Sequence, residues 1–436
     1  MTAPTLPRTD RGRALLVLAL ATAVTVFTAT VPLLRDFFDL RVYYGAVHTW
    51  VHHGGRIYDY RVPGTTYGFT YPPFAALTML PLAPMGRHTA IVASLLVNLA
   101  ALAVVLRILA GPGWRRHGWF RWSLALCVLA LFEPLRDTFS FGQVNLVLLA
   151  LVLGDAWLLT TGRDRWAGVG VGLAAAVKLT PALFIGLLLL ARRWRAAGVA
   201  TAVALAATGL AAWADPRASR FYWTEALWDT NRVGRLDYVS NQSLQGVLAR
   251  LGDPDRSLWS AVVLLVLCVW AWRASRAVAA GDWTAAFALT GATACLVSPI
   301  TWVHHLVWLL PSFAVLARAG HRRLAGTLYG VLCTSVVWLW FEDSSGIDGF
   351  LGSNIYTWIT LGLLLGLPTG QSRSARPPLD RSPSHTAPAP SPARPATAAG
   401  DQSSSSSGLG DVAAATVVDA GPDPTRSPSS EPTGST

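Results

Sequence analysis

The sequence predicts an all-α protein that crosses a membrane many times. Hydrophobic residues make up 52% of the chain and charged residues only 14%, whereas a soluble domain carries about 25% charged residues. The apolar residues lie in long runs, and a run of about 20 residues can cross the hydrocarbon core as a helix. Arginines cluster between alternate runs, which is typical of cytoplasmic loops.

Twelve apolar runs are predicted to be membrane segments, which gives a bundle of about 12 transmembrane helices. They lie at about 14–34, 89–110, 121–133, 144–161, 166–178, 181–191, 196–213, 257–275, 282–297, 302–317, 324–341 and 354–368. The runs at 121–133, 166–178 and 181–191 are short for a full crossing. We therefore expect half-helices, or helices packed inside the bundle, at these three places.

The arginine clusters predict the orientation. Arg8, Arg11 and Arg13 precede the first run, so the N-terminus, residues 1–13, is predicted to be cytoplasmic. If all the runs cross, further clusters fall in every other connection, at Arg115–Arg121, Arg163–Arg165, Arg192–Arg195, Arg273–Arg276 and Arg318–Arg323. The loops predicted on the extracytoplasmic side are then 35–88, 134–143, 214–256 and 342–353.

The chain divides into a membrane domain, residues 14–368, and a polar tail, residues 369–436. The tail is rich in Pro, Ser, Thr and Ala and cannot bury enough apolar surface to fold, so it is predicted to be disordered and cytoplasmic. The net charge of +11 does not indicate a nucleic-acid partner, because the arginines lie in short clusters between apolar runs. The expected surroundings are a lipid bilayer, with the chain in the plasma membrane.

Neither a metal site nor a cofactor is expected. The four cysteines, Cys127, Cys268, Cys295 and Cys333, each lie within an apolar run without a metal-ligand spacing partner. The glycines of GVGVGLAAA, residues 168–176, also lie within an apolar run. They are predicted to allow close helix packing and not to bind a nucleotide.

The first extracytoplasmic loop begins with two carboxylates, Asp36 and Asp39. The stretch 40–53 carries Tyr, Val and Trp at helical spacing and is predicted to be an interfacial amphipathic helix that ends at Gly54-Gly55. Tyr71-Pro72-Pro73 then restricts the backbone conformation at the start of the next run. An Asp at such a position commonly caps the following helix, so this simpler role stays open for Asp39.

Lys178 is the single lysine of the chain and lies at the outer end of an apolar run. An ionisable group within a membrane is costly and often functional, and a compact ammonium suits a phosphate group. The alternative is a lysine that extends to the membrane surface without binding a ligand.

His304 and His305 follow Ser298-Pro299 at the predicted outer start of the run 302–317. Adjacent residues of a helix point about 100° apart, so one of them, with His305 preferred, is expected to face a site. Gln143 and Asn145 lie in a short outer segment and could bind sugar hydroxyls or satisfy backbone groups. The loop 214–256 carries aromatic and amide side chains and is a candidate acceptor-side lid.

These motifs together resemble glycosyltransferase family 87, which has the GT-C membrane fold. They are the Asp after the first run, G-G-x-x-Y (54–58), Y-P-P (71–73), G-Q-V-N (142–145), K-L-T-P (178–181) and S-P-I-T-W-V-H-H (298–305). The resemblance covers about residues 13–368. It implies an inverting transfer of a sugar, mannose in an α-1,2 linkage or arabinofuranose, from a polyprenyl-phosphate donor to a glycolipid or lipoglycan acceptor of the cell envelope.

The resemblance implies the base, and the residue types and their positions indicate the rest of the site. Asp39 matches the family's base, with His305 as the alternative proton acceptor. The other residues expected to contact substrate are Lys178, His304, Asp36, Gln143, Asn145 and Tyr71. A transporter or flippase is the competing class, but it usually places ionisable residues near the membrane midplane in repeated halves. A scaffold without activity is a third reading, and it would not need a long, structured first loop.

Overall fold

The computed structural model describes residues 7, 9–30, 35–111, 118–252 and 255–370. Within these ranges the chain forms helices, and extended pairing is limited to the isolated bridges Arg61–Gly68 and Asn241–Trp302. The predicted all-α class is therefore confirmed. The helices are α1 (Asp10–Thr30), α2 (Phe38–His53), α3 (Pro73–Thr78), α4 (Arg87–Ala110), α5 (Trp119–Leu131), α6 (Glu133–Phe141), α7 (Asn145–Thr160), α8 (Val169–Val177), α9 (Leu183–Leu190), α10 (Trp194–Ala214), α11 (Pro216–Thr224), α12 (Leu244–Leu251), α13 (Arg256–Ala279), α14 (Trp283–Val297), α15 (Leu310–Arg318), α16 (Arg322–Cys333), α17 (Gly346–Gly352) and α18 (Ile355–Gly366).

Several helices are suited to a membrane. In the described part of the chain, α1, α4, α10 and α13 are long and apolar enough to cross a bilayer, and α6 with α7 forms a fifth crossing if that pair, bent by 117°, is one span. Shorter apolar helices, such as α5, α14 and α18, accompany them. The chain is thus a multi-pass membrane protein, while the count of twelve crossings stays a prediction.

Parts of the predicted topology lie outside the described residues. This applies to Arg8, Arg115 and Arg116, to the end of the first run at 31–34, and to the tail from residue 371 onward.

The centre of the core is α14. Every residue from Ala285 to Leu296 is buried, and most of them are small. This helix packs against α13, α15, α18 and a 3₁₀ helix, Val303–Leu309, that precedes α15. Its threonines, Thr290 and Thr293, donate their hydroxyls to carbonyls one turn earlier, so their polar groups are satisfied inside the core.

The glycines of α8 bring neighbouring helices close together, as the sequence predicts. A Cβ atom on Gly170 would lie 2.2 Å from the Leu151 carbonyl oxygen of α7, and one on Gly172 would lie 2.5 Å from the Ala200 carbonyl oxygen of α10. Glycine is therefore required at these crossings because any larger residue would push the helices apart.

The helix predicted at 40–53 is present as α2 and ends at Gly54, whose φ of 62° lies in the left-handed region. One face of α2, including Val42, Ala46 and Val47, is buried against the rest of the protein. The predicted outer segment 134–143 is helical in large part, since α6 covers Glu133–Phe141.

Candidate active site

A cavity of about 430 Å³ lies where α2, the α6–α7 bend, the end of α8 and the segment before α15 meet. Of the eight residues predicted to form the site, six line it: Asp39, Tyr71, Gln143, Lys178, His304 and His305. Asn145 is buried directly behind Gln143, and Asp36 lies elsewhere. The topology thus assembles groups that are up to 266 positions apart, from Asp39 to His305.

The start of α2 positions Asp39. Asp36 and Phe37 both have positive φ values, 45° and 49°, which turn the chain sharply before the helix begins. The Phe37 amide donates a 2.8 Å hydrogen bond to the Ser140 carbonyl, which fixes this turn against α6. Phe37 is the N-cap residue and no side chain caps the helix, so Asp39 does not serve as its cap.

Asp39 is held through one oxygen. Its Oδ2 accepts a 2.6 Å hydrogen bond from Gln143 Nε2, and its Oδ1 has no hydrogen-bond partner among the described residues. Burial raises the pKa of Asp39 to about 6, although the Gln143 hydrogen bond and the nearby Lys178 charge act in the opposite direction. A carboxylate of this kind can accept a proton near neutral pH.

Gly142 allows Gln143 to reach Asp39. It ends α6 with a φ of 70°, and the helix axis turns there by 117° into α7. A Cβ atom on Gly142 would lie 2.7 Å from Leu40 Cβ, so α2 and the bend can approach this closely only at a glycine. In the G-Q-V-N motif, the glycine thus allows the close approach of α2, and the glutamine binds Asp39.

A chain of hydrogen bonds runs from Gln143 to two tyrosines. Tyr71 donates its hydroxyl to Gln143 Oε1 at 3.0 Å, and Tyr43 donates to the Tyr71 oxygen at 3.1 Å. Burial raises the pKa of Tyr71 above its ordinary value, so the phenol stays protonated and remains a donor. The Gln143 amide is thereby oriented with its NH₂ group toward Asp39.

Lys178 enters the cavity at a break between helices. α8 ends at Val177, Lys178 has extended backbone angles, and a 3₁₀ turn from Thr180 to Ala182 begins the next segment. Its Nζ donates a 3.1 Å hydrogen bond to Asn145 Oδ1 and lies 5.3 Å from the centre of the Tyr71 ring. The ammonium is therefore anchored toward the cavity and is not extended to an exposed surface.

His305 completes this group. Its Nε2 lies 2.8 Å from Lys178 Nζ, and its Nδ1 accepts a 3.2 Å hydrogen bond from the Trp302 amide. His304 also lines the cavity, so both histidines reach it although adjacent residues of their 3₁₀ helix point about 120° apart. The two rings are 4.6 Å apart, with His304 resting against Phe141 at 5.1 Å.

Asp36 is not brought to the cavity. Its side chain is 67% exposed and forms ion pairs with Arg41 at 3.1 Å and Arg87 at 3.6 Å. Asp36 and Asp39 therefore have different surroundings although they are three positions apart, and the structure gives no support to substrate binding by Asp36.

The polar residues of loop 214–256 have two different locations, one inside the protein core and one on the cavity wall. Asn241 and Gln242 are fully buried, and their amide groups bond to backbone groups such as the Pro299 and Ser353 carbonyls, so they cannot bind a sugar. Arg232 and Tyr238 from the same loop do line the cavity. The loop thus both supports the segment before His304 and forms one wall of the cavity.

Sequence reasoning overlooked Arg35, which also lines the cavity. A signal was present, since Arg35 lies at the predicted outer end of the first run, where the positive-inside rule does not favour a basic residue. Within the described ranges no group of three or more His, Cys, Asp or Glu is placed to hold a metal ion.

Comparison with known proteins gives the class of this chain. The model of glycosyltransferase family 87 matches residues 69–299, just over half of the sequence. A polyprenol-phosphate-mannose-dependent alpha-(1-2)-phosphatidylinositol mannoside mannosyltransferase of Mycobacterium tuberculosis is 35% identical, over 65% of this chain and 71% of the relative. A corresponding pentamannoside mannosyltransferase of Mycolicibacterium smegmatis is also 35% identical, over 71% of this chain and 76% of the relative.

No solved structure matches the chain. The protein is a membrane glycosyltransferase, and it belongs to glycosyltransferase family 87.

Proposed function

We propose that this protein transfers mannose from a polyprenyl-phosphate donor to a phosphatidylinositol mannoside acceptor, with an α-1,2 linkage and inversion at the anomeric carbon. The observation that carries the proposal is Asp39, a carboxylate of the cavity wall with one oxygen unpartnered among the described residues, together with the Lys178–His305 pair in the same cavity. The names of the relatives support the donor, the acceptor and the linkage.

The reaction needs few protein groups. As the acceptor oxygen bonds to the anomeric carbon, its proton passes to Asp39 Oδ1. The bond from that carbon to the phosphate oxygen breaks, and the polyprenyl monophosphate leaves with the electron pair. The negative charge on the departing phosphate grows in this step, and Lys178 and His305 are placed to stabilise that charge. One carboxylate suffices, since a retaining mechanism would need a second one as nucleophile.

The remaining predictions of topology belong to the same proposal. The cavity opens on the extracytoplasmic side of the plasma membrane, α2 lies at that membrane surface, and the segments 1–13 and 369–436 are cytoplasmic. The membrane domain, residues 14–368, crosses the bilayer about twelve times. This arrangement places the site where a lipid-linked donor can enter from the outer leaflet, and it follows from the arginine pattern.

The test is transfer by the purified protein in lipid nanodiscs. Radiolabelled polyprenyl-phosphate mannose and a phosphatidylinositol mannoside should yield a product one mannose larger, whose label an α-1,2-mannosidase releases. Polyprenyl-phosphate arabinofuranose in a parallel reaction distinguishes the second donor of the family. Transfer from the arabinofuranose donor alone would show that the sugar is wrong, and transfer from neither donor would contradict the proposal.

A further inference from the structure

The cavity has a second polar wall that the proposed mechanism does not use. Arg35 lies at its edge, with the guanidinium 4.5 Å from the centre of the Trp338 ring and 5.4 Å from that of Phe141. The Nε atom is 3.9 Å from Asp137 Oδ1, which is close enough for attraction but too long for a hydrogen bond. The cation is thus held in place mainly by aromatic rings.

The hydrogen-bonding capacity of this wall is unused. Among the residues that the structure describes, Arg35 Nε and Nη2 are buried without hydrogen-bond partners, and so is Nε2 of His304, whose residue is only 3% exposed. Buried polar groups are nearly always satisfied, so two neighbouring residues with unmet groups on one cavity wall need an explanation. Both residues contact the Phe141 ring, which therefore joins them into one patch.

This patch is separate from the group around Asp39. Asp39, Gln143, Asn145, Lys178 and His305 are connected to one another by hydrogen bonds. Neither the Arg35 nor the His304 side chain has a hydrogen bond to that group among the residues described. Besides Arg232, the cavity therefore contains two cationic positions: Lys178, which is bonded within that group, and Arg35, which has free donors among the described residues.

We propose that Arg35 and His304 form a second subsite that binds a phosphate oxygen of a lipid substrate. The planar guanidinium offers parallel N–H groups that match two phosphate oxygens, and stacking on Trp338 fixes its orientation. Asp137 Oδ1, 3.9 Å from Nε, attracts the guanidinium without forming a hydrogen bond to it. The inference rests on the proposed function, in which the donor and the acceptor each carry a phosphate.

The experiment compares two acceptors and matched variants in one assay. One acceptor is a phosphatidylinositol mannoside, and the other is an alkyl α-mannoside, which lacks phosphate. The variants are Arg35→Gln, Arg35→Lys and His304→Ala. The control is Arg136→Gln, because Arg136 is an arginine of the same region that binds Ser335 and does not line the cavity. Thermal stability is measured for each variant.

Loss of a hydrogen bond to a charged group should raise the relevant KM by about tenfold or more in Arg35→Gln. If the subsite holds the acceptor phosphate, KM rises for the phosphatidylinositol mannoside and not for the alkyl mannoside. If it holds the donor phosphate, the KM of the donor rises with either acceptor. Arg35→Lys should show a smaller rise in the same KM, since lysine keeps the positive charge but lacks the parallel N–H groups of the guanidinium.

Kinetic constants for Arg35→Gln equal to those of Arg136→Gln with all substrates would overturn the subsite. If Arg35→Gln does not fold, unchanged KM values in both Arg35→Lys and His304→Ala would likewise overturn the subsite. The proposed function is judged separately, since mannose transfer by the unmodified protein and its loss in Asp39→Asn do not depend on Arg35.

Discussion

Gln143 Nε2 donates a 2.6 Å hydrogen bond to Asp39 Oδ2, and this contact joins two residues that are 104 positions apart. Because the donor stabilises the ionised form, it lowers the pKa of Asp39 against the opposing effect of burial, which leaves that pKa at about 6. Gln143 therefore adjusts how easily the candidate base is ionised, and it also fixes where the carboxylate points.

The first prediction concerns pH. A base must be deprotonated to act, so kcat/KM should fall by about tenfold per pH unit below about pH 6 and level off above it. Gln143→Leu removes the hydrogen bond that lowers the pKa, so its acidic limb should move to higher pH. Initial rates from pH 4.5 to 8.5 check this, with thermal stability followed at each pH. An acidic limb at the same pH in both proteins would mean that Asp39 does not control it.

The sequence was sufficient to predict most of the candidate site. Lys178 is the single lysine, and the Asp and His-His motifs stand at the ends of apolar runs, where the arginine pattern predicts them on one side of the membrane. The choice of Asp39 over Asp36 rested on the family resemblance. The structure adds a physical reason, since two left-handed residues rotate Asp36 out toward Arg41.

Other features could not be predicted from one sequence. The amide groups of Asn241 and Gln242 bond to backbone that is distant in sequence, and local composition cannot distinguish such a role from sugar binding. The 117° bend after α6 brings Gly142 close to Leu40, which is a tertiary contact that the sequence does not show. Helix length alone also does not decide which short apolar helices cross the membrane.

The second prediction concerns Gly142. An alanine there would have an unfavourable positive φ and would crowd Leu40, so Gly142→Ala should lower stability by about 1–3 kcal/mol. It should also lower kcat, because Gln143 and Asp39 would be displaced. Thermal midpoint and turnover are the measurements. Gly154→Ala is the matched control, since a Cβ atom at Gly154 would meet no described atom within 4 Å apart from its chain neighbours and the nearby backbone of α7. Equal behaviour of the two variants would contradict the role of Gly142.

The third prediction concerns Lys178. Its Nζ is anchored by Asn145 and His305 within the cavity, so Lys178→Gln should weaken binding of the polyprenyl-phosphate donor by about tenfold or more and leave the fold intact. Lys178→Arg should restore part of the activity, because a planar guanidinium does not replace a compact ammonium. Donor KM and thermal midpoint decide the question. A fully active Lys178→Gln protein would mean that the lysine does not hold the donor phosphate.

The fourth prediction concerns orientation. With the native cysteines replaced, single cysteines at Gly55 and Asp229 should react with an impermeant thiol reagent added outside intact cells, and one at Gly162 should not. Both outer positions belong to loops that contribute to the cavity walls, whereas Gly162 lies beside Arg163 in a predicted cytoplasmic connection. External labelling at Gly162 would reverse the orientation, and the site would then face the cytoplasm.

The last prediction concerns the base itself. Asp39→Asn keeps the size of the side chain and removes its basicity, so turnover should fall about 10²–10⁴-fold. Burial raises the pKa of Asp39 to about 6, which means that the ionised carboxylate is disfavoured in the fold. That penalty is absent below the unfolded pKa of about 4 and grows as the pH rises to about 6. At pH 7 the neutral Asn should therefore leave the thermal midpoint at or above that of the unmodified protein.

Asp36→Asn is the matched control, because it alters a carboxylate of the same loop that pairs with Arg41 outside the cavity. It should keep turnover within a few-fold, and its thermal midpoint should fall slightly with the loss of an exposed ion pair. His305→Ala should also reduce turnover, since it removes a partner of Lys178. If Asp39→Asn were fully active and His305→Ala inactive, the proton acceptor would be the histidine. Full activity in both variants would place the chemistry outside this cavity.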